Sequence, residues 1–140
     1  MGDVSKNLNS YEILPPDYKH LNWRYFIDGR MPVIFQFLRD KFGRIDINTY
    51  KFGGASKYRG YRPPDCKVGA KYSQHRFGRA LDLCFVDVTC TEVYDWILKN
   101  QEEMYKLGLR RMENAYKTKT WLHIDAMEHG QNNTIQTFNP

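Results

Sequence analysis

Val33, Phe35, Phe37, Leu38 and Phe42 form an apolar stripe between Pro32 and Gly43. A proline at the start and a glycine past the end bound many helices, so this stretch is predicted helical. Arg44 to Tyr50 alternates apolar and polar residues and predicts a strand. A denser apolar run at residues 80–86, Leu81-Asp82-Leu83-Cys84-Phe85-Val86 at its centre, predicts a core strand that contains one acid. Thr91 is placed to cap a helix over about residues 92–106, with Val93, Trp96, Ile97, Met104 and Leu107 on or near one side and Gly108 ending it. Leu109–Met112 and Thr120–Asp125 predict two strands joined by a polar turn, Asn114 to Lys119.

Between these elements lie stretches without periodicity. Residues 1–19 are polar, end in Pro15-Pro16-Asp17, and predict an irregular N-terminal arm that starts as a disordered lead-in. Residues 51–72 hold Gly53, Gly54, Gly60, Pro63, Pro64 and Gly69, and a loop of that length inside a small domain points to function. Residues 128–140 are polar and predict a weakly packed C-terminal tail. The sum is a small single α+β domain over residues 20–127, with a mainly antiparallel sheet and flanking helices.

Composition narrows the functional classes. A chain of 140 residues with 41% hydrophobic and 15% aromatic residues has material for one core. No apolar run approaches the about 20 residues of a membrane helix, and the start shows no apolar segment of a signal peptide. Cys66, Cys84 and Cys90 make an odd set without a C-x-x-C pair, which fits synthesis in a reducing compartment without disulfides. The net charge of +5 favours polyanionic surroundings, but Lys57-Tyr58-Arg59 and Arg110-Arg111 are the densest basic clusters and no nucleic-acid motif accompanies them. A monomer without a nucleic-acid partner is expected.

The acid in the core strand is the chemical clue. A buried carboxylate is costly unless paired or bound to a metal. Asp82 closes the stretch Ser73-Gln74-His75-Arg76-Phe77-Gly78-Arg79-Ala80-Leu81-Asp82, and Trp121-Leu122-His123-Ile124-Asp125 follows some forty residues later. His75, Asp82 and His123 supply two imidazoles and a carboxylate, the set that holds a catalytic Zn2+ and leaves a position for water. Such ligands suit zinc better than magnesium or calcium. His75 and Asp82 lie seven apart, so they come from a loop running into a strand and not from one helical face. Cys84, two after Asp82, either packs in the core or approaches the metal.

Four ordered segments resemble the zinc D-Ala-D-Ala carboxypeptidase and L-alanyl-D-glutamate peptidase family, whose fold is shared with the hedgehog signalling domain. They are Gly60-Tyr61-Arg62, Ser73-Gln74-His75, Gly78-Arg79-Ala80-Leu81-Asp82 and His123-Ile124-Asp125, and the likeness spans roughly residues 28–127. The resemblance implies a zinc peptidase, a carboxypeptidase or endopeptidase, acting on peptidoglycan stem peptides. A compact basic chain of this kind looks like a bacteriophage lysin or virion-associated enzyme, made in the cytoplasm and acting on the bacterial cell wall. Arg62 is the candidate anchor for a substrate carboxylate or carbonyl, a role that suits its planar fork and that the family also implies. Ser73 and Asp125 are candidates to orient the ligands, and Trp121 shares the face of His123 and either walls a cleft or packs in the core.

The general base departs from the family pattern. Relatives carry Glu or His shortly before the last ligand, where this chain has Lys117, Thr118, Lys119 and Thr120. Glu113 is the nearest upstream acid and the assigned base, with Asp125, Glu128 and His129 as alternatives. A hairpin pairing Asn114 with Lys119 would set Glu113 opposite Thr120, on the face away from His123, so that a bulge would be needed. Two other functional classes stand beside the peptidase. One is a zinc-containing binding module of the same fold that does not hydrolyse, and the other a basic nucleic-acid-associated protein with fortuitous His and Asp positions.

Overall fold

The computed structural model describes residues 1–140. Helix α1, Arg30–Phe42, turns its Ile34, Phe35 and Leu38 face inward and ends at Gly43 with φ +88°. Strand β1 is only Ile45–Asp46, β2 is Ala80–Phe85, and helices α2, Cys90–Lys99, and α3, Gln101–Leu107, follow. Strands β3, Arg111–Glu113, β4, Leu122–Asp125, and β5, Gln136–Phe138, complete the chain. The five strands form one sheet in the order β1-β2-β4-β3-β5. Its pairs are antiparallel except β3 with β5, which is parallel. The protein is a small α+β domain with three helices and a mixed sheet. No helix is long and apolar enough to cross a membrane.

Strand alternation divides the sheet into two unlike faces. Leu81, Leu83, Met112, Leu122 and Ile124 enter the hydrophobic core, where they meet Ile34, Phe35 and Leu38 of α1, Val93 and Ile97 of α2, and Met104 of α3. The alternate positions carry Asp82, Cys84, Arg111, Glu113, His123 and Asp125. Polar chemistry is therefore gathered on the face the helices leave uncovered.

Four local expectations change. The strand expected over residues 44–50 stops after Asp46, because Asn48 leaves the ladder: its N–H donates to Glu12 O, and its side chain bridges Leu14 O and the Arg59 N–H. The helix expected over 92–106 starts earlier, with Thr89 as its cap through a 3.1 Å bond from the Glu92 N–H, and breaks at Asn100. Asn100 sits at φ −128°, ψ 39° and donates its side-chain amide to Trp96 O, a local bond that competes with helix continuation. The N-terminal arm is irregular, yet Leu8, Ile13 and Leu14 are fully buried and Ser5 and Asn7 bond to Gln36. Burying such a side chain contributes about 1.5–3 kcal/mol each, which holds the arm in place. The segment expected to be a weakly packed tail supplies β5, with Ile135 buried and its N–H donated to Gln101 Oε1.

Candidate metal centre

Three separate segments deliver the ligands. His75 rides on a single 3-10 turn, Gln74–Phe77, whose first N–H groups are capped by Ser73 through its Oγ to the His75 N–H at 3.3 Å. Gly78 ends that turn at φ +69°, and a Cβ there would overlap the Phe26 carbonyl, so only glycine lets the chain turn from His75 into β2. Asp82 and His123 are cross-strand partners in the β2–β4 ladder. The segment Arg59–Arg62 runs alongside: Arg59 O accepts the Asp82 N–H, and the Arg62 N–H donates to His75 O. Gly60 passes so close to Ile13 that a side chain would overlap its backbone.

The polar contacts explain the orientation of each ring. His75 Nδ1 donates to the Gly60 carbonyl at 2.8 Å, and a carbonyl can only accept. The second nitrogen, Nε2, faces Asp82 Oδ1 at 3.1 Å. Burial holds the His75 pKa below the ordinary imidazole value, against the charge of Asp82 and its hydrogen bond, which raise it. His123 meets the same carboxylate oxygen: Nδ1 lies 3.0 Å from Asp82 Oδ1 and Nε2 2.9 Å from Asp125 Oδ2. Burial opposes a proton on His123, but the hydrogen bonds to Asp125 and Asp82 and their charges outweigh it and push the pKa up to about 9. Burial likewise opposes the charge on Asp82, yet the charge of His75 and the hydrogen bonds from both rings keep its carboxyl far below the usual range.

The donor set could hold a metal ion. Ligands about 2.0–2.2 Å from a tetrahedral centre lie about 3.3–3.6 Å from one another. One donor atom each from His75, Asp82 and His123 lie within 4.8 Å of one another. Asp82 Oδ1 meets its two nitrogen neighbours at 3.1 and 3.0 Å. In both rings the nitrogen turned away from the cluster donates to a carbonyl or carboxylate, the arrangement that fixes a metal-bound imidazole.

The centre opens into a cleft lined among others by Arg62, Ser73, Glu113, Trp121 and Phe138. Arg62 is nearly buried; its Nε donates to Tyr58 O at 2.9 Å, while the terminal nitrogens reach Ser73 Oγ and Asp82 Oδ2 at 3.4 Å. Ser73 makes no hydrogen bond to either ring; its Oγ caps the turn that carries His75 and contacts Arg62. Asp125 contacts His123 Nε2 at 2.9 Å and is fully buried, gripped by Arg111 at 2.9 and 2.8 Å. Trp121 lies on the cleft wall with the Arg59 guanidinium 5.8 Å from its ring centre. Cys84 is neither in the core nor among the clustered donors: it is half-buried, contacts Arg59 at 2.6 Å, and burial pushes its thiol pKa up.

The β3–β4 register corrects the expected hairpin. Arg111 pairs with Asp125 and Met112 with Ile124, so the next step along the ladder sets Glu113 beside His123 and not Thr120. An odd shift flips the face, and Glu113 reaches the cleft without a bulge. Of the four groups considered as base, Glu113 alone lines the cleft. Asp125 is buried in its own network, Glu128 pairs with Arg30 and Arg110, and both ring nitrogens of His129 are engaged by Thr134 O and the Gln131 N–H.

Sequence patterns did not single out Arg111, Phe138 or Gln74. Gln74 is nearly buried in the cleft wall and its side-chain oxygen has no partner. Comparison with protein-family models, curated proteins and solved structures finds no match to this chain.

Proposed function

We propose that this protein is a zinc-dependent peptidase that hydrolyses amide bonds in peptidoglycan stem peptides. The observation that carries the proposal is the convergence of His75, Asp82 and His123 in a cleft, with one nitrogen of each ring within 3.1 Å of Asp82 Oδ1. A zinc ion held there supplies Lewis-acid polarisation of a carbonyl and an acidified water. The chain's own residues fill the other roles. Glu113 Oε1 accepts the Thr118 hydroxyl at 2.7 Å, which leaves Oε2 to take a proton from the attacking water and return it to the leaving amine. Arg62 engages Asp82, Ser73 and Tyr58, yet each terminal nitrogen keeps a second N–H for a substrate carboxylate or carbonyl.

The substrate class follows from the resemblance of the His75, Asp82 and His123 segments, with Gly60-Tyr61-Arg62, to zinc D-Ala-D-Ala carboxypeptidases and L-alanyl-D-glutamate peptidases. The same likeness supports a hedgehog-type arrangement of the α+β domain. One observation favours a second reading, a zinc-holding module that binds wall peptides without cutting them: Lys117 to Thr120 carry no acid beside the last ligand. Mass analysis of purified wall peptides after incubation, with and without chelator, separates the two. A peptidase creates new amino and carboxyl termini that chelator abolishes; binding to walls with no new termini supports the module.

A further inference from the structure

We propose that Arg111 and Phe138 form a clamp that fixes the His123 ring for metal binding, which makes β5 a working part of the metal centre. The inference rests on the metal-centre reading above and adds two positioning residues to it. Arg111 gives Asp125 a two-point grip, Nε to Oδ1 at 2.9 Å and one terminal nitrogen to Oδ2 at 2.8 Å. Asp125 also accepts the Met127 N–H at 3.1 Å and is fully buried, so its carboxylate cannot swing away. Its Oδ2 in turn holds His123 Nε2 at 2.9 Å. A ring held at Nε2 has only Nδ1 to offer a metal, and Nδ1 is the atom that faces Asp82.

Phe138 closes this chain from the other side. The Arg111 guanidinium carbon lies 4.5 Å from the centre of the Phe138 ring, close enough for a cation–π contact. The same ring meets His123 edge to face, centroids 5.6 Å apart at 79°. One aromatic side chain thus covers both ends of the Arg111–Asp125–His123 relay. Its position depends on the parallel pairing of β5 with β3, which sets Phe138 beside Glu113. A lysine at position 111 could keep the charge but not the planar two-point grip, and a leucine at 138 could fill space but not stack.

The test is a cobalt titration of the chelator-stripped full chain, reading the visible ligand-field spectrum, with zinc affinity measured by competition. Arg111→Lys and Phe138→Leu should each weaken metal binding by about 10–100-fold and alter the cobalt spectrum, the loss typical when a group orienting a ligand is removed. Met112→Ala serves as the control, because Met112 lies on the same strand but is fully buried in the core. It should lower the thermal midpoint and leave the cobalt spectrum and affinity unchanged. Should Arg111→Lys fail to fold, Phe138→Leu decides alone. Cobalt spectra and affinities matching wild type in both clamp variants would overturn the inference, as would an equal loss in Met112→Ala. A wild-type chain that takes up no cobalt overturns the metal-centre reading and the clamp with it.

Discussion

Raising the pH of the metal-free protein should cost stability through one residue, His123. Its ring is buried between Asp82 and Asp125, and their hydrogen bonds push its pKa from 6.5 to about 9. A group whose pKa is raised by folding stabilises the fold fully below its unfolded pKa and loses that contribution as pH rises through the folded value. The interval from 6.5 to about 9, at 1.36 kcal/mol per pH unit, amounts to about 3 kcal/mol. That is a large share of a typical domain's stability. Asp82 and Asp125 set the acid side: their pKa values are lowered, so their contribution is present above about 3.8 and falls away as pH drops through the folded values. Burial lowers the His75 pKa, so stability also declines as pH drops below 6.5, and metal-free stability should peak at about pH 6.5. Guanidinium unfolding in chelator at pH 5, 6.5, 8 and 9.5 measures the profile, with His123→Gln as the reference for every other titrating group. The wild-type curve should fall away from the variant's above pH 6.5. Parallel curves across that range would refute the assignment of the shared proton to His123.

Zinc uptake should expel that proton, so between pH 6 and 8 apparent zinc affinity should rise about tenfold per pH unit, and a flat profile in competition titrations would contradict it. Glu113→Gln should lower amide hydrolysis by about 100- to 10,000-fold with zinc affinity unchanged; single-turnover rates within a few-fold of wild type would remove Glu113 as the base. Arg62→Lys should keep zinc yet lose most turnover, because an ammonium lacks the planar fork, and near-normal kcat/KM on wall peptides would mean that Arg62 does not grip substrate. Gly78→Ala should destabilise the protein, since φ is positive there and a Cβ would overlap the Phe26 carbonyl; an unchanged thermal midpoint would show that the turn carrying His75 relaxes freely.

The sequence was most legible where chemistry and local geometry coincide. His75 and Asp82 sit on one short turn-into-strand segment, so their spacing already excluded a helix and required a loop. Asp82 also stood out as a lone acid in an apolar strand. The partnership of Glu113 with His123 was not legible, because it depends on a register fixed by the turn. Residues 114–121 are held by Asn114 O accepting the Lys117 and Thr118 N–H groups and by Thr118 bonding Glu113, contacts that no periodicity encodes. Leu8, Ile13 and Leu14 were missed for a similar reason: they flank the short 3-10 turn Ser10–Glu12 in irregular chain and are buried without a repeating stripe. β5 is three residues long and largely exposed, so alternation could not reveal it, and Phe138 lies inside the stretch whose polarity predicts a weakly packed tail.

In the proposed mechanism, the centre of His75, Asp82 and His123 drives hydrolysis through a single zinc ion. The most direct measurement is a zinc titration of the metal-stripped protein, following release of new amino groups from purified peptidoglycan. Activity should rise in proportion to added zinc, level off at one ion per chain, and be absent from Asp82→Asn at every zinc level. Amine release that ignores zinc, or none at any zinc level, would rule that mechanism out.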